Sequence, residues 1–202
     1  LSEEFFTKYY LPAYSQFDND APGSLVFKVA KEKPQPIFVD LDIVVRSKDE
    51  YPSTADYAKF AGELAKNLKD NVRVLITNRP EVTIKKTKTK NCLRHGAHLY
   101  FIGRFSLEES QDLRKFALKN SLVKNCFGKF MVNDSEDVYD SALSDRDNGL
   151  LMIGARKPES DYGPHAISYC NTWIKDKGWK KEDGTMSTNS EQFEVVFKDL
   201  YS

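Results

Sequence analysis

The chain has 202 residues, roughly 1.3 times the ~150 of an average domain, and this length sets the expectation of one domain spanning 1–202. Lysine plus arginine and aspartate plus glutamate both number 30, so no global charge draws the chain to nucleic acid, membranes or acidic partners, and any electrostatic argument is local. With 40% hydrophobic and 12% aromatic residues it can bury a sizeable core, which excludes collagen-like, disordered and membrane-spanning classes.

Residues 2–10 read as a short helix with Glu3 and Glu4 in its first turn, ended by Pro12. The Val-rich stretch 24–30 reads as a buried strand. After the break at Pro34-Gln35-Pro36, the run 37–45 (IFVDLDIVV) reads as a central strand that contains two carboxylates. Over 53–70, Tyr57, Phe60, Leu64 and Leu68 recur at helical spacing, and Ser53 with Asp56 forms a capping box, so a crossover helix is expected. Residues 72–78 (VRVLITN) return to strand chemistry, and 80–90, rich in Lys and Thr, are expected in an exposed hairpin or loop. A strand over 98–105 then precedes a helix opened by Ser106 and Glu109, with Leu113, Phe116 and Ala117 facing inward.

Residues 127–132 are a short strand candidate, followed by an acidic segment and the apolar, turn-like GLLMIGARKP. Beyond Ser160 the pattern weakens, and 174–178 and 191–200 are acceptable as helices. Irregular alternation of strands and helices implies an α+β fold with a mixed central sheet flanked by helices. The motif-bearing core is expected over 37–158, after a lead-in over 1–36 and before an extension over 159–202. Cys92, Cys126 and Cys170 are odd in number and lack a CxxC pair, which fits a reducing, intracellular compartment. The start at Leu1, without the basic and apolar regions of a signal peptide, reads as a piece of a longer protein.

Three clusters carry chemistry. Asp40 and Asp42 are two apart on one strand, so both point from the same face, where they repel unless a cation or basic groups intervene. Hard oxygen donors of this kind suit Mg²⁺ or Mn²⁺. The plain alternative is a solvated strand edge. The second cluster is Arg94-His95-Gly96-Ala97-His98, read as a glycine-containing turn that leads His98 into a strand, with Gly96 permitting close approach of a ligand. Between positions 79 and 94 six basic residues, Arg79, Lys85, Lys86, Lys88, Lys90 and Arg94, face one acid, Glu81. That local surplus suits phosphate groups, and its plain alternative is a solvated lysine hairpin. The third cluster is Asp134, Glu136 and Asp137, followed by Arg156 and Lys157; an acid at a strand end could complete a metal site, and the two bases could neutralise phosphate.

The order of these clusters, an apolar strand with DxD, then a small residue before His entering a strand, then an acid at a strand end, resembles the three motifs of the archaeo-eukaryotic primase superfamily. FVDLDIVV and RHGAHLYF stand for the first two motifs. VNDSEDVYDSALSDRDNGLLMIGARKP is similar to the third motif of viral primase-helicases of poxviruses and other large DNA viruses. The resemblance covers about 38–158 and implies a primase catalytic core of RRM-like type. It implies Asp40, Asp42 and Asp134 as metal ligands, with Asp137 a rival for the third place. Arg94, His98 and Lys157 are implied as nucleotide-phosphate contacts, and Lys85, Lys86, Lys88, Lys90 and Arg156 as contacts to DNA.

The implied activity is template-directed primer synthesis on single-stranded DNA from nucleoside triphosphates, with two Mg²⁺ or Mn²⁺ ions. The alternatives are a primase-polymerase that extends primers with deoxynucleotides and a degenerate, non-catalytic single-stranded DNA-binding domain. Leu151, standing where relatives carry Arg, speaks for the last. No Walker-type GxxxxGK[ST] occurs, so the superfamily 3 helicase that the resemblance implies lies in another part of a longer chain. No membrane association is expected, and a viral source implies a replication site in the host cytoplasm or nucleus.

Overall fold

The computed structural model describes residues 4, 8, 26–28, 31–79, 81–86, 91–146, 149–151, 166–180 and 200; for 26–28, 85–86, 149–151 and 166 it describes the backbone alone. The strands are β1 (Val26–Lys28), β2 (Gln35–Val44), β3 (Val72–Asn78), β4 (Thr83–Lys86), β5 (Asn91–Phe105), β6 (Gly149–Leu151), β7 (Ala166–Ile174) and β8 (Gly178–Trp179). The helices are α1 (Thr54–Ala65), α2 (Leu107–Lys119), α3 (Leu122–Phe127), α4 (Ser135–Val138) and α5 (Ser141–Ser144).

Six strands form one sheet in the order β2-β5-β3-β7-β8, with β4 paired beside β3 on the same long strand β5, and β1 pairs with β6 separately. Every pairing among the described strands is antiparallel, which corrects the expected mixed sheet. The α+β class stands. Because β2 and β3 are both antiparallel to β5, they run the same way with β5 between them. α1 therefore joins two parallel, non-adjacent strands, as the crossover reading expected.

Alternation decides the two faces of the sheet. Ile37, Val39, Leu41 and Ile43 of β2, Val74 and Ile76 of β3, and Ala97, Leu99 and Phe101 of β5 are buried with Tyr57, Phe60, Ala61 and Leu64 of α1. Phe127 of α3 closes this layer, 5.1 Å from Phe60 between ring centroids. A fully buried Phe such as Phe60 is worth about 3–5 kcal/mol against truncation to Ala. Both capping boxes form: Ser53 caps Asp56 on α1, and Ser106 caps Glu109 on α2. The alternate residues of β2 and β5, Asp40, Asp42, Arg94, Gly96 and His98 among them with the buried Phe38 and Tyr100, share the opposite face.

Three further expectations change. The strand expected at 98–105 begins at Asn91, so Gly96 and His98 sit mid-strand and no turn precedes the His. Residues 127–132 are not a strand: Val123, Cys126 and Phe127 are buried at helical spacing, Gly128 caps α3, and only Met131 bridges to Val45. Residues 174–178 are not a helix, because β7 and β8 form a hairpin whose turn holds Asp176 at φ 61° and Gly178 at φ 87°. Trp173 and Trp179, edge to face at 5.1 Å, hold that hairpin in strand pairing. The first three residues of the turn-like stretch, Gly149–Leu151, form β6, paired to β1, and the rest of it lies outside the described residues. The helices expected at 2–10 and 191–200 fall almost wholly outside the described residues.

Candidate active site on the open face of the sheet

The register of β2 on β5 builds the site row by row. Asp40 pairs with His98 and Asp42 with Gly96, while Val44 pairs with Arg94, so Asp40, Asp42, Arg94 and His98 stand in adjacent rows of one face. β3 extends the rows, since Thr77 pairs with His98 and the Arg79 amide donates to the Gly96 carbonyl at 3.2 Å. Gly96 thus leaves a gap in the side-chain carpet between Asp42 and Arg79.

The charges are paired within this face. Arg94 Nη1 donates to Asp42 Oδ2 in a close ion pair. His98 Nε2 lies 3.5 Å from Asp40 Oδ1, and its Nδ1 lies 3.3 Å from the Tyr100 hydroxyl. Burial pushes the Asp40 carboxyl up; His98 and Arg79 pull it down, while Asp42 and Asp140 add to the rise. Burial lowers the His98 imidazole against the opposing pull of Asp40, so at neutral pH this His is a neutral hydrogen-bonding group. Among the described residues, Thr77 Oγ1 and Arg94 Nε are buried polar atoms with no hydrogen-bond partner.

Behind the sheet, His95 is fully buried and stacks on Tyr51 at 4.6 Å. Its Nε2 is 2.9 Å from the Arg79 carbonyl, which can only accept, so Nε2 carries the proton and Nδ1 accepts from the Tyr57 hydroxyl at 2.7 Å. This His is a brace, not a member of the open face.

The acidic segment after α3 runs along the free edge of β2. The Val132 amide donates to the Val44 carbonyl at 2.9 Å. Asn133 then stands in for a strand: its Oδ1 accepts from the Val44 amide at 3.0 Å and its Nδ2 donates to the Asp42 carbonyl at 2.9 Å. Asp134 precedes α4 as its N-cap residue without a side-chain cap bond, and Asp137 lies within α4. The segment rejoins β2 at Tyr139, which bridges Leu41, and the Asp140 amide donates to the Asp40 carbonyl at 3.3 Å. Arg114 of α2 pins this return by donating from Nε to the Tyr139 carbonyl at 2.8 Å.

The residues named from sequence are distributed as follows. Asp40, Asp42, Arg94 and His98 come together. Asp134 leaves the β2 edge near Asp42, whereas Asp140, passed over in the sequence, comes back beside Asp40. The one sequence signal it offers is weak, an apolar-apolar-Asp step in Val138-Tyr139-Asp140 like that of Phe38-Val39-Asp40. Arg79 was counted only as part of a charge surplus. The backbones of Lys85 and Lys86 lie on β4; Lys88, Lys90, Arg156 and Lys157 lie outside the described residues. An aromatic cleft lined by Lys59, Tyr169, Trp173 and Trp179 lies on the helix-covered face, apart from this cluster.

The donor chemistry of the open face suits a hard divalent cation: two carboxylates share a face, a third acid adjoins, and their mutual repulsion is a cause of the raised Asp40 carboxyl. Yet among the described residues no three His, Cys, Asp or Glu side chains are gathered closely enough to hold a metal ion. Among the curated proteins no match is found. Residues 3–170 match the family described as the C962R protein N-terminal AEP domain, and the chain belongs to that archaeo-eukaryotic primase family.

Proposed function

We propose that this domain is a DNA-priming nucleotidyltransferase that joins nucleotides on a single-stranded DNA template. The family implies primase- or polymerase-like activity. The observation that carries the finer reading is the set of adjacent rows in which Asp40, Asp42, Arg94 and His98 share one sheet face. β2, expected as a central strand, is the outer strand of the sheet, yet a merely solvated edge would not set Asp40 opposite His98 and Asp42 against Arg94 of the next row, and the RRM-like core expected from sequence is supported by β2 and β3 flanking β5 with α1 crossing between them.

In this reading a primer or initiating 3′-hydroxyl attacks the α-phosphate of a nucleoside triphosphate and pyrophosphate leaves. Asp40 and Asp42, with an acid from the edge segment, would hold Mg²⁺ or Mn²⁺, and the nearness of Asp140 to Asp40 supports it for the third position over Asp134 or Asp137. The chemistry such cations supply when bound is neutralisation of phosphate charge and a lowered pKa for the attacking hydroxyl. Arg94 binds triphosphate oxygens by charge, and His98 by hydrogen bonding from a neutral ring, so both act by positioning. Lys157 adds a phosphate contact, and Lys85, Lys86, Lys88, Lys90 and Arg156 follow the template backbone. A helicase domain elsewhere in a longer chain is the partner this reading implies.

One observation favours a second reading, a non-catalytic single-stranded DNA-binding domain: no three acids gather into a metal cluster among the described residues. The deciding experiment is incubation with single-stranded template, Mg²⁺ or Mn²⁺ and either ribo- or deoxynucleotides, with and without a primer. Priming requires metal-dependent products without a primer. Products only with a primer and deoxynucleotides identify a primase-polymerase, and DNA binding without any product identifies the second reading.

A further inference from the structure

We infer that Arg79 is a phosphate-binding residue of the nucleotide site, extending that site from β2 and β5 onto the end of β3. The inference rests on the reading that this face binds a nucleotide, and it adds a residue that the motif pattern does not contain.

The placement of Arg79 follows from register. Its amide donates to the Gly96 carbonyl, and Gly96 pairs on its other side with Asp42, so Arg79, Gly96 and Asp42 form one row across three strands. The side chain is on the open face: Nη1 donates to Thr83 Oγ1 at 2.9 Å, and Thr83 is the β4 partner of Arg94. With no side chain at Gly96, the middle of the row presents backbone alone, and the cations of Arg79 and Arg94 border it. The charge of Arg79 also reaches both Asp40 and His98.

Its backbone is unusually well held. The carbonyl accepts from His95 Nε2 at 2.9 Å and from Asn78 Nδ2 at 3.0 Å, so with the amide bond to Gly96 three hydrogen bonds fix this one residue. The His95 brace, backed by the Tyr57 hydroxyl, places Arg79 from behind the sheet. A guanidinium anchored in this way loses little freedom when it takes a phosphate in its fork. A second observation points to a ligand at the same spot: the buried Arg94 Nε and Thr77 Oγ1, in the rows on either side of Gly96, have no hydrogen-bond partner among the described residues.

The test measures binding of a fluorescent nucleoside and its mono-, di- and triphosphates, with Mg²⁺, to wild type, Arg79→Gln and Arg79→Lys, beside their melting temperatures and their single-stranded DNA affinity. We expect Arg79→Gln to lose triphosphate affinity on the order of tenfold, with a loss that shrinks as phosphates are removed and vanishes for the nucleoside. Arg79→Lys should recover most of that loss, and DNA affinity should stay unchanged. Should Arg79→Gln unfold, the Lys variant decides alone: a triphosphate affinity a few-fold below wild type with nucleoside affinity unchanged supports the role, and affinities equal to wild type for all four ligands overturn it. A wild type that binds no nucleotide overturns the nucleotide-site reading itself. A wild type that binds nucleotides, with Arg79→Gln matching it or losing all four ligands equally, overturns the role of Arg79 only.

Discussion

Asp140 lies across the edge of β2 from Asp40, its amide donating to the Asp40 carbonyl at 3.3 Å, and its charge helps push the Asp40 carboxyl up. Two acids from segments a hundred residues apart in the chain are thus held near each other by a backbone bond, while the Asp140 Oδ1 accepts from the Ala142 amide at the start of α5.

That proximity separates the candidates for the third acid. Asp140→Asn is expected to reduce nucleotide incorporation as severely as Asp40→Asn, to below a hundredth on the order of the losses for groups acting at charge development, while Asp134→Asn and Asp137→Asn stay near wild type. Incorporation assays at saturating Mn²⁺ check this. Loss confined to Asp134→Asn would return the third place to the N-cap of α4.

The rise of the Asp40 carboxyl, caused first by burial and added to by Asp42 and Asp140, has a thermodynamic sign. A carboxyl whose folded pKa is raised favours the folded state when protonated and opposes it when ionised, so its cost is absent below the ordinary value of 3.8 and grows as pH rises through the folded value. Asp40→Asn should therefore melt higher than wild type at pH 7, and the two should converge toward pH 3.8. Mg²⁺ should raise the melting temperature of the wild type and not that of Asp40→Asn. Calorimetry across pH, with and without Mg²⁺, reads both effects; an Asp40→Asn protein less stable than wild type at pH 7 contradicts the reading.

Much of this arrangement was legible because it rests on local rules. Period-two alternation put Asp40 and Asp42 on one face, and the Ser53 and Ser106 capping boxes marked the starts of α1 and α2 to the residue. What escaped depends on pairing over long distances. The start of β5 at Asn91 is set by β4 folding back on it, although the sequence there is polar and carries a glycine that suggests a turn. The 174–178 stretch has helix-compatible residues, but Trp173 and Trp179 meet only if it forms a hairpin. Asp140 was hidden because its neighbours belong to a helical turn that returns to β2 for a single bridge, a contact with no periodicity to announce it.

Arg94 is already engaged by Asp42, so a cation and Arg94 compete for one carboxylate. Arg94→Ala should tighten Mn²⁺ binding and at the same time weaken triphosphate binding. Each lost charge-assisted hydrogen bond is worth on the order of 1.5–3 kcal/mol, or roughly ten- to a hundredfold in affinity. Titration calorimetry with Mn²⁺ alone, and then with a triphosphate, measures the two opposite changes; both weakening together would place Arg94 in a purely structural role.

The last prediction concerns pH on the acid side of neutrality. Burial lowers both His95 and His98 from 6.5, so the unfolded chain takes up protons that the folded one refuses. Stability supplied by the neutral rings is fully present above 6.5 and is lost as pH falls through that value toward the folded ones. For His95 the loss has a structural face: a protonated Nδ1 can no longer accept from the Tyr57 hydroxyl, which must turn to accept and leaves its own proton without this partner, while Nε2 keeps its bond to the Arg79 carbonyl. His95→Gln keeps a donor for the Arg79 carbonyl without a group that titrates, so its unfolding free energy should fall less than that of the wild type between pH 7.5 and 5.5. His95→Leu should cost about 1–3 kcal/mol at every pH for each buried partner left unpaired. Urea unfolding of the three proteins at several pH values measures this, and a His95→Gln slope equal to that of the wild type would show that the imidazole does not carry the dependence.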